Sequence, residues 1–246
     1  MDSAAGNADD PPAAVLAFLQ DFGLQEDKGL IDWEWLGDNF TEDVVPALLQ
    51  HIFLCAIALA IALVIAVPVG ILCARYRWLY GPTTAITGFL YTIPSFAMFT
   101  FLLALGFSVG VMPAIIALIL YSLLILIRNV VTGLDSVPAE TIDAARGMGL
   151  TDRQILLGVE LPLALPVIVA GMRIAVVTVI GVAVIGAYIG GGGLGNLIFD
   201  GITRDFPTLY VTGAVMATLL AIAADLVFVR TERLLSPWSR RVRRAG

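Results

Sequence analysis

The chain is 246 residues long, 59% of them hydrophobic and only 14% charged, which excludes an ordinary soluble domain and reads as an all-α integral membrane protein. The formal net charge of -6 averages two opposed regions. Acidic residues (Asp9, Asp10, Glu26, Asp27, Asp32, Glu34, Asp38, Glu42, Asp43) crowd the beginning, and arginines (Arg230, Arg233, Arg240, Arg241, Arg243, Arg244) crowd the end, an asymmetry that bears on orientation across a bilayer.

Residues 1–50 carry no basic n-region and no early apolar run with a cleavage site, so they read as an acidic extension and not as a signal peptide. Asp9, Asp10, Pro11 and Pro12 suit a disordered start, and residues 13–22 a short amphipathic helix. Trp33 and Trp35 beside Leu36 and Phe40 suit a segment lying at a membrane interface, with an exposed tail of no particular role as the alternative. Asn39-Phe40-Thr41 forms a glycosylation sequon of a kind that arises often by chance.

Apolar runs long enough to cross about 30 Å of hydrocarbon follow at 52–74, 83–105, 111–131, 163–188 and 209–229, the second broken by Pro94. They make up a membrane domain of residues 51–232, followed by a basic tail, 233–246. Arg75 and Arg77 with Trp78 and Tyr80 form a basic, aromatic edge after the first span. Placing that edge, the loop with Arg146 and Arg153, and the arginine-rich end in the cytoplasm puts the N-terminus outside, with Lys28 and Arg204 as the outer cations.

Within the loop 132–162, residues 143–162 form a polar island between two long apolar segments. A helix is expected to begin near Pro138 with Glu140 in its first turn, where a missing N–H costs nothing and a negative charge suits the dipole. Ala144 and Ala145 favour helix, and Gly147 and Gly149 permit a corner. Thr151 with Gln154 forms a capping box that starts a second helix, which runs into Pro162. Such a hairpin, with small residues at its corner and spans on either side, reads either as a docking surface for another protein or as an ordinary loop with two surface helices.

Clustered ligands or a nucleophile with its base are not evident. His51 is expected to be a polar anchor at the mouth of the first span. Cys55 and Cys73, roughly 27 Å apart along one helix, are expected to be packing residues. The run GGGGLG at 190–195 formally contains G-x-G-x-x-G, but no strand precedes it. Those glycines, Gly192, Gly193 and Gly195 among them, suit an external gate by close approach and hinge freedom. A Gly-Lys-Ser/Thr phosphate loop is lacking, since the only lysine, Lys28, precedes Gly29. Arg173 and Asp225 lie within spans at matching depths near the cytoplasmic side, which suggests an ion pair between the fourth and fifth spans; separate snorkelling is the alternative. Tyr91, Thr92, Pro94, Ser95, Tyr121, Ser122 and Thr178 are candidates for a translocation path, with purely structural roles equally open.

The island resembles the EAA loop of permease subunits in binding-protein-dependent ABC importers, whose pattern is E-A-A, three residues, G, nine residues, I-x-L-P. Asp143, Ala144 and Ala145 fill the first places, Gly149 the glycine, and Val159, Glu160, Leu161 and Pro162 the tail, with Asp for Glu and Val for Ile as the departures. TIPS at 92–95, ELPLALP at 160–166 and the glycine run before Leu194 extend the resemblance, which covers roughly residues 51–232 and is nearest the osmoprotectant subgroup.

The resemblance implies the five-span core of a type I importer permease in the inner or plasma membrane. Glu140, Asp143, Ala144, Ala145, Arg146, Gly147 and Gly149 would contact the ATPase. The implied partners are a cytoplasmic ABC ATPase dimer, a second identical or paralogous permease, an extracytoplasmic solute-binding protein and membrane lipid, with no nucleic acid. No cofactor is expected on this chain, ATP and Mg being held by the partner ATPase. The implied solutes are glycine betaine, choline or carnitine, with another small solute such as an amino acid derivative as the alternative. An ion-coupled carrier would need buried carboxylates near mid-membrane and an inverted repeat, neither convincingly evident. A non-transporting membrane anchor would tolerate a charge at Gly149.

Overall fold

The computed structural model describes residues 30–235, and every regular element among them is helical. Helix α1 (Trp33–Asn39) passes through one wide turn, Phe40–Val44, into α2 (Val45–Arg75), so a single helical run extends from Trp33 to Arg75. The first span expected at 52–74 lies within this run, and the expected boundary at residue 50 falls inside a helix. Asp32 caps the start of this run, its Oδ1 accepting from the Trp35 N–H at 3.0 Å, and Pro46 is accommodated just after the wide turn. Residues 13–22, Lys28 and the arginines from 240 onward lie outside the described residues.

The second span is not straight. Helices α3 (Arg77–Thr92) and α4 (Ser95–Ala104) meet at a 97° bend. Pro94 removes an N–H and pushes Ile93 to extended backbone, ψ 126°. At ~1.5 Å per residue, α3 reaches about 24 Å and α4 about 15 Å, so neither crosses a bilayer alone.

Helix α5 (Val111–Asp135) leads into α6 (Ala139–Gly147) and α7 (Asp152–Ile155). A wide turn, Leu156–Glu160, opens α8 (Leu161–Gly186), which ends in the 3-10 turn Ala187–Ile189. Helices α9 (Leu194–Thr203) and α10 (Pro207–Leu235) follow. Four runs, Trp33–Arg75, Val111–Asp135, Asp152–Ile189 and Pro207–Glu232, are long and apolar enough to cross a membrane, and the bent pair makes a fifth if counted as one. The fourth expected span, 163–188, lies within the run Asp152–Ile189, with Pro162 in the first turn of α8 and Pro166 carried inside the helix.

Helix α5 lies between α2 and α8. The stripe Cys55, Ala58, Ala62, Ala66, Gly70 and Cys73 on α2 is buried throughout. Small side chains at that spacing let two helices approach closely within lipid, where packing and not water exclusion drives association. A Cβ on Gly70 would stand 2.6 Å from Val130 Cγ1. On the other side of α5, Gly171 of α8 is held against Asn129 so closely that a Cβ would overlap its side chain. The two cysteines are free, buried packing residues.

Candidate functional site

The polar hairpin is built by local rules. Pro138, in extended backbone, precedes α6, Glu140 stands in the first turn and Arg146 in the last. Gly149 has φ +82°, the left-handed region that favours glycine, and the chain turns there. Thr151 then caps α7, its N–H donating to Gln154 Oε1 at 2.8 Å. Of the residues expected to face a partner, Glu140, Asp143, Ala144, Arg146, Gly147 and Gly149 are exposed, and Met148 at the tip is 74% exposed. Ala145 departs from that expectation, being 1% exposed and turned towards the protein's own body. The outward face is thus low, with apolar Met148 beside Ala144, Gly147 and Gly149. The exposed Asp143–Arg146 pair at 3.5 Å adds little stability.

What holds the hairpin is a pair of contacts that sequence reasoning missed. Arg75, at the end of α2, donates from Nη2 to Glu160 Oε2 at 2.7 Å, and Glu160 is 6% exposed. Arg77 donates to Asp135 Oδ1 at 2.7 Å in an exposed pair. These partners are 85 and 58 residues apart, beyond any local pattern. Below them Val130, Leu134, Val137, Ala164 and Ile168 form a buried cluster against which Ile142, Leu156 and Leu161 pack. The hairpin is thus joined to α2, α5 and α8 by side-chain contacts, around a cavity of about 250 Å³ lined by Arg75, Asp135, Ile142 and Glu160 among others.

At the bend, Tyr121 on α5 is buried and its hydroxyl donates to the Ile93 carbonyl, which the helix break leaves without a helical donor. Its ring meets Tyr91 edge-on at 6.0 Å. Thr92 Oγ1 donates to Phe89 O at 2.7 Å, Thr178 Oγ1 to Ile174 O at 2.9 Å and Ser122 Oγ to Leu118 O at 2.7 Å. Those hydroxyls satisfy their own helices, while Tyr91, Thr92 and Pro94 are exposed and Ser95 is half-buried.

The glycine run is a packed corner. Gly190, Gly192 and Gly193 all have φ near +80°, and residues 191–195 are buried. The Gly193 N–H donates to Gln50 Oε1 at 3.0 Å, and a Cβ there would stand 2.8 Å from His51 Nδ1. A Cβ on Gly195 would overlap the Val184 carbonyl. His51 is not the interfacial anchor expected. It is fully buried, its Nε2 3.2 Å from the Ile180 carbonyl and its Nδ1 without a hydrogen-bond partner. The starts of α2, α9 and α10 gather at this end around Val44, Leu194, Leu197 and Leu209, and the start of α1 is tied to α10 by the Asp32 N–H donating to Thr208 Oγ1 at 2.8 Å.

Along α8, the residues Ala170, Arg173, Ile174, Val177 and Thr178 face a cleft of about 460 Å³ closed on its other side by Asp225 and Glu232 of α10. Arg173 and Asp225 meet fork to fork, Nε donating to Oδ1 and Nη2 to Oδ2, the latter at 2.9 Å. Arg173 lies about 18 Å from either end of α8, while Asp225 lies about 15 Å from the C-terminal end of α10. Both side chains remain partly exposed, 40% and 31%. The same open face of α8 continues past Gly181 to exposed Tyr188, whose ring lies 4.9 Å from Phe96 and 5.7 Å from Phe199.

Apolar helices of spanning length, a bent pair and a polar hairpin clamped at one end describe a multi-pass membrane protein. The family described as "Binding-protein-dependent transport system inner membrane component" matches residues 66–241, and the chain belongs to that family. It is a non-enzymatic transport subunit of the ABC permease class. It is 45% identical to the osmoprotectant import permease protein OsmW of Salmonella typhimurium, over 76% of this chain and 89% of the relative. It is 40% identical to the glycine betaine/carnitine/choline transport system permease protein OpuCD of Bacillus subtilis, over 82% and 90%. In structure it resembles a chain of the MetNI methionine ABC transporter in an inward-facing conformation, with TM-score 0.69 and 26% identity over 78% of this chain and 95% of that one. The type I importer permease fold is therefore the fold of this chain.

Proposed function

We propose that this chain carries a quaternary amine osmolyte, in the class of glycine betaine, choline or carnitine, across the cell membrane as one half of a permease pair. A cytoplasmic ATPase dimer drives it, and an extracytoplasmic binding protein delivers the solute. The N-terminus faces outward and the polar hairpin faces the cytoplasm, since Arg75, Arg77, Arg146 and Arg153 gather at the hairpin end while Arg204 lies at the other.

The observation that carries this reading is the low outward face of Ala144, Gly147, Met148 and Gly149 on a hairpin clamped to three core helices. ATPase closure moves the paired α6 helices, and the joint through Glu160 turns that motion into opening at the glycine end. Reset after hydrolysis releases solute inward. Support for the solute class comes from the names of the relatives and from exposed aromatic rings at Tyr91, Phe96 and Tyr188, whose faces attract ammonium groups.

The test is copurification with the cognate ATPase together with labelling from one side of the membrane. Cys55 and Cys73 are buried, so an introduced thiol can be read over a quiet background. Met148→Cys should be labelled only from the cytoplasm and be protected by bound ATPase. Labelling from outside, or no capture of ATPase, would refute the arrangement.

A further inference from the structure

A forked ion pair at mid-helix is unusual where it stays partly open, because charges at membrane depth normally face a protein interior or water. The Arg173–Asp225 pair does neither within this chain. It forms one wall of a cleft whose volume, about 460 Å³, falls in the ~300–1,000 Å³ range of small-molecule sites. Of the five N–H donors of the Arg173 guanidinium, Asp225 takes two. Glu232, seven residues beyond Asp225 and so on the same face of α10, adds a second carboxylate and leaves the cleft net negative by one charge. Ile174 and Val177 supply an apolar wall beside these charges.

Resting on the osmolyte reading above, we propose that this cleft is a solute site within the membrane, at which a zwitterion carrying a quaternary ammonium and a carboxylate pauses between the binding protein and release. Arg173 receives the solute carboxylate through its remaining N–H groups, in the planar geometry that guanidinium offers and an ammonium does not. Asp225 and Glu232 face the quaternary nitrogen, which has no N–H to donate and is held by charge alone, with its methyl groups against Ile174 and Val177. The pair thus has two jobs: it ties α8 to α10 when empty, and its charges are already arranged to meet a dipolar solute with little reorganisation. A cation without a carboxylate, such as choline, would engage only the acidic half.

The experiment is equilibrium binding of radiolabelled glycine betaine and choline to the purified permease–ATPase complex, with no binding protein present. The wild-type complex should bind glycine betaine saturably. Val177→Trp fills the cleft while leaving both charges of the ion pair in place, and should weaken binding of both solutes at least about tenfold while the ATPase stays bound. Arg173→Lys keeps the charge but loses the fork, and should weaken glycine betaine about tenfold with choline within about twofold. Exchanging the two charges, Arg173→Asp with Asp225→Arg, should restore assembly but not glycine betaine binding; a pair with only a structural role would recover both. Absence of saturable binding by the wild type overturns the site, as does wild-type affinity in Val177→Trp, which decides the matter alone if the exchange variant does not assemble. ATP-driven uptake, measured separately, tests the importer reading: uptake without binding rejects only the site, and binding without uptake rejects only the importer.

Discussion

Gly147 isolates docking from folding. It is the last residue of α6, helical and exposed, and a Cβ built on it meets nothing within 4 Å. In the chain by itself glycine is a poor choice there, since alanine is favoured in helices by about 0.5–1 kcal/mol. Gly147→Ala should therefore leave the free permease as stable or slightly more so. Gly149 is different, because its φ of +82° means that any side chain costs about 1–2 kcal/mol before a partner arrives. A partner seated on the low face makes a further prediction. Gly147→Arg places a long side chain in a packed contact, and overpacking of about 1–3 kcal/mol corresponds to a roughly 5- to 150-fold loss of affinity. Titrating purified ATPase onto immobilised permease, with thermal unfolding of the free permease as the control, reads both quantities. Unchanged ATPase affinity in Gly147→Arg would refute the reasoning, and so would a loss accompanied by an equal loss of permease stability.

Three other outcomes follow from the geometry. Tyr121→Phe removes the donor to the Ile93 carbonyl in a buried place, and should cost about 1–2 kcal/mol in denaturant or thermal unfolding, with little change in solute affinity. Arg75→Ala leaves the buried Glu160 carboxylate uncompensated and should cost about 2–3 kcal/mol, below the ~3–5 of a fully buried pair because Arg75 is partly exposed. Glu160→Gln removes the charge itself and should cost less, so that equal losses would count against the clamp. Gly193→Ala combines a φ of +78° with a Cβ 2.8 Å from His51 Nδ1, and should destabilise by about 2–4 kcal/mol. His51→Ser should recover part of that loss in a thermal-shift assay, and no recovery would show that the imidazole is not the source of the clash, leaving the His51 Cα and Cβ contacts and the backbone strain.

Much of the fold was legible because a bilayer imposes a simple rule on sequence. Long apolar runs marked the spanning helices, and their ends were set by local chemistry that composition reveals, such as Thr151 with Gln154 and the corner at Gly149. Boundaries were less legible where proline was read as a stop. Pro162 lies in the first turn of α8, where a missing N–H is cheap, and Pro166 is carried inside that helix, whereas Pro94 does break its helix. Helix α9 was invisible because the glycine run masked it and its ten residues are too few to span.

The hairpin was read correctly in outline but not in facing: helical periodicity turns Ala145 inward beside outward Ala144. His51 looked interfacial because it begins an apolar run, yet the folded-back glycine corner closes over it. The clamps Arg75–Glu160 and Arg77–Asp135 join distant residues, and only the way α2, α5 and α8 pack brings them together.

The central claim is that ATP hydrolysis on a partner drives solute through this chain. Its most direct test is uptake of radiolabelled glycine betaine into proteoliposomes containing the permease and its ATPase, with ATP enclosed and binding protein outside. The account predicts accumulation that requires both ATP and the binding protein and survives collapse of proton and sodium gradients by ionophores. Uptake that proceeds without ATP and stops when those gradients are collapsed would contradict it and make the chain an ion-coupled carrier.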